Sequence, residues 1–306
     1  RTGGRCGRRV PSRQLWQKRP VFPIKDNLPT RRFPILTVLL IVACALIYFG
    51  FERGGLGLGA TGNERVAQWG AVPYEITHPG RECVIPPAGS RVAQLAEQAG
   101  TAMVCEGQTL ELRDPFGGVQ QVTLPDEFPP SITGEQPPAL LTLLTSMFLH
   151  GSFLHLAGNM LFLWIFGNNV EDSMGRLRFV AFYILGGVAA MIAQVAVDPY
   201  AAVPTVGASG AIAAVLGGYA LLYPRARVLT VVFIIFFFTI VELPALIVLV
   251  AWFGLQLAYG MAGLAEPLGD GGVAYFAHIG GFVFGLLAIR AFANRPNPWY
   301  HGRLVV

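Results

Sequence analysis

Charge is scarce in this chain. Asp, Glu, Lys and Arg make up 13% of its 306 residues, where soluble domains carry about 25%. Apolar residues make up 53%, and the mean hydropathy is +0.53. A chain so poor in charge cannot cover its surface with polar groups. That excludes an ordinary soluble fold and points to lipid as solvent. Acids are scarcest at the start, where residues 1–32 hold ten Lys and Arg against Asp26 alone. Cysteine is limited to Cys6, Cys44, Cys83 and Cys105. No Cys/His cluster has zinc spacing, so no metal site is expected. Long internal repeats and low-complexity segments are also missing, which sets aside a repeat architecture.

The charges that are present are sorted. Residues 51–139 hold eleven acids and five bases. The seven remaining bases are Arg176, Arg178, Arg225, Arg227, Arg290, Arg295 and Arg303, all at the ends of apolar runs or beyond the last one. This is the two-sided pattern of the positive-inside rule. Bases flanking a first span explain the basic start, so nucleic-acid binding is set aside. The acid-poor, Arg-rich opening is also similar to an organelle transit peptide. A cytoplasmic tail over 1–32 is the simpler reading.

A membrane helix needs about 20 mostly apolar residues. The candidates are Phe33–Phe51, Leu140–Phe166, Phe179–Val197, Val206–Tyr223 and Val273–Phe292. The apolar stretch 228–262 is broken at Glu242-Leu243-Pro244. If it crossed twice, Arg295 and Arg303 would lie outside. We therefore expect Leu229–Val241 along the inner interface and Pro244–Met261 as the fifth of six spans. Both termini are then cytoplasmic, with a C-terminal tail over 293–306. Residues 52–137, rich in Gly, Pro and acids, form an enlarged external loop. It holds an amphipathic piece at Arg91–Gln98 and a short strand at Val119–Leu124. Cys83 and Cys105 fall in this loop, either bridged or as two free thiols.

Polar and ionisable groups within spans mark function. Here they are His150, His155, Asn159, Ser209, Glu242, Gln256 and His278. Ser209 opens the fourth span in Gly207-Ala208-Ser209-Gly210, where flanking glycines leave room for substrate and the helix N-terminus offers free N–H groups. His278 lies in the first turns of the sixth span, beside small residues every four positions at Ala277, Gly281 and Gly285. Ala214 and Gly218 repeat that spacing on the fourth. Such stripes let helix backbones approach, so helices four and six are expected to pack and bring His278 to Ser209. His155 and Asn159, four apart, share one helix face. Both can donate to an oxyanion, with His150 nearer the outer end of the same helix. Hydrogen-bonding glue between helices is the competing reading for these three.

The motifs together resemble the rhomboid family. His150-Gly-Ser-Phe-Leu-His155-Leu-Ala-Gly-Asn159 is similar to its H-x(4)-H-x(3)-N segment. Gly207-Ala208-Ser209-Gly210 resembles G-x-S-G, and Ala277-His278 with Gly281 and Gly285 resembles A-H-x-x-G-x-x-x-G. Gly167 to Glu171 with Gly175-Arg176 resembles the family's inner loop. The resemblance implies an all-α polytopic membrane protein, a six-helix bundle without cofactor, acting as an intramembrane serine endopeptidase. Ser209 is then the nucleophile and His278 the base. His155, Asn159 and the Ser209 backbone N–H hold the oxyanion, and His150 is structural or water-retaining. The implied partners are transmembrane protein substrates in a lipid bilayer. A bacterial inner membrane is expected from the compact six-helix plan.

Two departures stand out. The Trp-Arg pair that usually precedes the second helix is replaced by Pro137-Pro138-Ala139. The aromatic that often follows the serine by four, stacking on the base, is Ala213. No acid is in view to orient His278, so something else must position it, packing alone being one way. Rival functions are a catalytically inactive, client-binding relative and a transporter. The first would lose Ser209 or His278, and the second would spread its ionisable groups through the membrane's depth.

Overall fold

The computed structural model describes residues 26–53, 62–113, 118–128, 136–234, 237–265 and 273–294. Residues 1–25 of the expected basic tail lie outside the described residues. So does the C-terminal tail from residue 295, with Arg295 and Arg303.

The chain folds as a helical bundle with a small mixed subdomain at one end. Helix α1 (Ile35–Leu46) passes into a π-helical turn over Ile47–Glu52. The combined 18 residues span about 27 Å at 1.5 Å per residue, close to a bilayer core. The first N–H groups of a helix have no intrahelical partner. Here Glu171 accepts from Leu36 N at 3.1 Å and from Thr37 N and Oγ1 at 2.8 Å.

The region expected to stand outside is folded. It comprises α2 (Gly62–Trp69), α3 (Pro73–Thr77), β1 (Cys83–Val84), α4 (Arg91–Gln98), β2 (Val104–Cys105), β3 (Thr109–Arg113) and β4 (Val119–Thr123). The amphipathic piece expected at 91–98 is α4, whose N-cap Ser90 accepts from Ala93 N at 3.0 Å. The expected strand is β4, which pairs antiparallel with β3. Strands β1 and β2 pair with Cys83 opposite Cys105, and the two cysteines form a disulfide. Val84, Ala96, Val104, Leu110, Leu124 and Phe128 close a small core of their own.

The expected second span is not one helix. A short α5 (Ala139–Thr145) is followed by a break. Then α6 (Phe153–Phe162), a π-turn (Leu163–Gly167) and α7 (Asn168–Met174) run on without interruption. The break has a local cause. Ser152 is extended, at φ −152° and ψ 160°, and its side chain caps α6 by accepting from His155 N. His150 therefore precedes the helix that carries His155 and Asn159. The segment 167–174, read from sequence as an inner loop, is helical. It stops at Gly175, whose φ of +81° suits glycine.

Helix α8 (Arg176–Val197) follows, and a loop leads to α9 (Ser209–Leu222). The stretch expected along the inner interface is a β-hairpin of β5 (Arg227–Ile234) and β6 (Phe237–Pro244), with Arg227 opposite Pro244. It is built from β-branched and aromatic residues, which fit a pleated surface better than a helix. Helices α10 (Ala245–Ala265) and α11 (Tyr275–Phe292) complete the bundle.

Among the described residues four helices are long and apolar enough to cross a membrane: Ile35–Glu52, Arg176–Val197, Ala245–Leu264 and Tyr275–Phe292. Helix α9 is shorter and central, and every residue from Gly210 to Ala220 is buried. Small residues let its neighbours close on it. A Cβ at Gly281 would overlap the carbonyl oxygen of Gly210, and one at Gly285 that of Ala214. A Cβ at Gly210 would come within 2.7 Å of Ala190 Cβ on α8. The small-residue stripe of α11 thus lies against α9.

Candidate active site

Ser209 is the first residue of α9, and His278 lies in the first turn of α11. Because α11 rests on the backbone of α9, the two side chains meet. The Ser209 hydroxyl lies 2.8 Å from His278 Nε2. The start of α11 is also tied to α8, where Gln194 Oε1 accepts from Ala277 N at 3.2 Å.

The other ring nitrogen is engaged too. His278 Nδ1 lies 2.7 Å from Oε1 of Gln256 on α10. Trp252, one turn earlier, sets its ring 5.7 Å from the imidazole, tilted by 39°. Packing alone does not hold His278. An amide acceptor and an aromatic, both from the fifth bundle helix, do. Gln256 stood out in the sequence only as a polar residue in an apolar run, and no spacing tied it to His278. The small Ala213, where a stacking aromatic was expected, lies under Gly281, whose Cβ would be 3.2 Å from that of Ala213.

Gly207 has φ +127° and donates its N–H to Ser146 O at 2.8 Å. A Cβ there would stand 2.7 Å from His155 Cε1 and 3.5 Å from Ser209 Oγ. The missing side chain therefore leaves open the space between the His155 ring and the nucleophile candidate. Asn159 is buried on the same helix as His155, and its Nδ2 has no hydrogen-bond partner among the described residues. Buried donors are nearly always paired. An unpaired buried amide one turn along from His155 is a donor that an oxyanion would complete.

His150, in the break before α6, is 1% exposed. Its backbone N–H donates to Glu52 Oε1 at 2.9 Å, and Nδ1 donates to Phe148 O at 3.2 Å. Its ring packs edge-on against His155 with centroids 5.2 Å apart. Nε2 of His150 has no protein partner among the described residues. No group of three or more His, Cys, Asp or Glu suited to a metal occurs among them either. Glu242 lies on the hairpin, opposite Leu229 and 4.0 Å from Arg227 Nη1.

The loop leading to Ser209 is gripped from outside the bundle. Ala71 and Thr205 form a two-way antiparallel bridge, with N···O distances of 3.2 and 2.8 Å. Tyr74 N donates to Ala201 O at 3.1 Å, and Thr77 Oγ1 to Pro199 O at 2.7 Å. Ala202 shares a buried cluster with Tyr74, Cys83 and Cys105. The cystine-bearing subdomain and the loop that leads to Ser209 are one packed unit.

The chain has relatives among known proteins. Residues 137–295, just over half the chain, match the Rhomboid domain. Rhomboid protein 1, mitochondrial, of Saccharomyces cerevisiae is 33% identical over 153 residues, which are 48% of this chain and 40% of that protein. Presenilin-associated rhomboid-like protein, mitochondrial, of Homo sapiens is 31% identical over 148 residues, 47% of this chain and 36% of its own. Rhomboid protease GluP of Bacillus subtilis is 46% identical over 81 residues, 26% of this chain and 15% of its own. The matched region thus spans less than half of each relative. A match over that much of the chain, on a bundle of this build, settles its kinship: it is an integral membrane protein and belongs to the rhomboid family.

Proposed function

We propose that the chain is a serine endopeptidase that hydrolyses peptide bonds in or near the transmembrane segments of other membrane proteins. The observation that carries this reading is the 2.8 Å contact between Ser209 Oγ and His278 Nε2 at the start of a buried helix. His278 takes the Ser209 proton, and the hydroxyl oxygen attacks the scissile carbonyl carbon. The carbonyl oxygen gains the negative charge, facing Asn159 Nδ2, the His155 ring and the Ser209 N–H. His278 then gives its proton to the leaving amine. Water, activated in the same way, releases the acyl group from Ser209. His150 supports the pocket through its contact with the His155 ring. Gly207 and Gly210 keep the approach open and α8 close.

Helix α9, with 14 residues, is about 21 Å long, shorter than a bilayer core of about 30 Å. In the proposed topology six helices cross the membrane over residues 33–292. The 52–137 region stands outside and both tails lie in the cytoplasm. A short α9 then starts below the outer surface and sets Ser209 within reach of water from that side. A backbone that enters the hydrophobic zone without regular pairing is tolerated only where protein surrounds it, and the buried flanks of α9 meet that condition. A helical substrate must unwind to expose its peptide bond, so helix-weakening residues near the cut favour cleavage. The bacterial inner membrane expected from the six-helix plan has no support in the yeast and human relatives, both named mitochondrial.

The test uses the purified protein and its Ser209→Ala variant in liposomes with a single-span substrate whose helix carries Gly and Pro. Cleavage by the first alone is the expected result. Equal cleavage by both would remove Ser209 from the chemistry. Absence of cleavage by either, with unchanged thermal unfolding, would turn the reading towards an inactive, client-binding relative.

A further inference from the structure

Gln256 is the single polar residue on the buried side of an otherwise apolar helix. It is 8% exposed, while Leu255 and Leu257 beside it are open to the surroundings at 52% and 40%. A lone carboxamide in such a place is costly unless both ends of its amide are used. They are. The amide nitrogen Nε2 donates to Trp252 O, one turn back, at 3.3 Å. That bond fixes which way round the amide lies and leaves Oε1 to face His278 Nδ1 at 2.7 Å.

The consequence is a chain of assignments. A carbonyl oxygen can only accept, so Nδ1 must carry a proton. A neutral imidazole with hydrogen on Nδ1 has its lone pair on Nε2. Nε2 is the atom facing Ser209 Oγ at 2.8 Å. The opposite tautomer would point a hydrogen at the serine and could not take its proton. We propose that Gln256 is the positioning residue of this site: through Nδ1 it selects the one neutral tautomer of His278 that can serve as base, the part an acid plays in other serine hydrolases. Trp252 supplies both the anchor for the amide and a ring beside the imidazole. This inference rests on the Ser209–His278 reading.

The experiment compares the full chain, Ser209→Ala, Gln256→Leu and Gln256→Glu in liposomes with the same single-span substrate. It reads kcat and KM separately. Thermal unfolding and the 15N spectrum of histidine-labelled protein are recorded for each. Leu fills the space without an acceptor, and Glu returns an acceptor to Nδ1. The expected result is a fall of about 10-fold in kcat for Gln256→Leu with KM unchanged, the size of one lost hydrogen bond to the base. Gln256→Glu recovers most of that loss. In the spectrum His278 carries its proton on Nδ1 in the full chain and shifts towards Nε2 in Gln256→Leu. The inference is overturned if Gln256→Leu keeps kcat and the Nδ1–H tautomer. Equal losses in both Gln256 variants with lowered unfolding temperature also overturn it, because that result marks a packing residue. Cleavage by Ser209→Ala at the full rate overturns the dyad itself, and is told apart because it does not depend on position 256.

Discussion

Gly281 rests on the carbonyl oxygen of Gly210 so closely that no side chain fits between them. The atom in the way is backbone, so it cannot swing aside as a side chain end would. Replacing Gly281 with Ala should overpack the α9–α11 contact and cost about 1–3 kcal/mol. It should also move His278 off Ser209. Gly254 on α10, with nothing within 4 Å of a built Cβ, is the matched control. Thermal unfolding in detergent should drop for Gly281→Ala and stay put for Gly254→Ala, and equal behaviour would refute the packing argument.

Asn159 offers a cleaner split between activity and stability. Its Nδ2 is buried without a partner among the described residues. Removing an unsatisfied donor is close to neutral for folding, whereas removing an oxyanion donor costs about 10²–10³ in kcat. Asn159→Leu should therefore lose activity while unfolding no earlier than the parent. A fall in unfolding temperature with kcat retained would return Asn159 to the role of helix glue.

The disulfide joins positions separated by 22 in sequence. Constraint of the unfolded chain by a loop of this size is worth about 3 kcal/mol. Reduction, or the paired change Cys83→Ala with Cys105→Ala, should destabilise the cystine-bearing subdomain by an amount of that order. Hydrogen exchange should show faster exchange at Val84 and Val104 on the cross-linked strands. Protection unchanged by reductant would mean that the apolar core holds the subdomain without its bridge.

Glu75 gives the same subdomain a pH dependence. Burial pushes its carboxyl up from the ordinary 4.5 to about 7. The Cys83 N–H bond opposes this, and the nearby Glu82 adds to it. A carboxyl with a folded pKa above its unfolded one holds more protons when folded. Stability is then fullest below the unfolded value and is lost as pH rises through about 7. Unfolding temperature should fall between pH 5 and 8, and Glu75→Gln, which keeps an acceptor for Cys83 N, should flatten that fall. A variant as pH-sensitive as the parent would clear Glu75 of responsibility.

The sequence made much of this plan legible because membrane constraints are strong. Apolar length located the four long apolar helices Ile35–Glu52, Arg176–Val197, Ala245–Leu264 and Tyr275–Phe292. The His155 motif and the Gly-x-Ser-Gly string drew attention to residues that the fold brings together around Gly207. What escaped has physical reasons. The 227–244 hairpin is a run of apolar residues, and such a run has no period that separates a buried strand from a helix. The break before α6 was signalled by Ser152, a capping residue type just ahead of an apolar run, but length and hydropathy made one span the simpler choice. Gln256 and Trp252 reach His278 only through the packing of α10 on α11, a juxtaposition that no local pattern encodes.

The bridge between Ala71 and Thr205 has a consequence for how the molecule comes into being. The peptide leading to Ser209 borrows a strand partner from a subdomain held by its own cystine. In the proposed topology that subdomain completes its fold only after crossing the membrane. A newly inserted chain would hold all its helices and still have a loose edge beside the serine. Delivery across the bilayer, and oxidation on arrival, would then be the last steps of building the site, and the compartment that makes the chain would never face it finished.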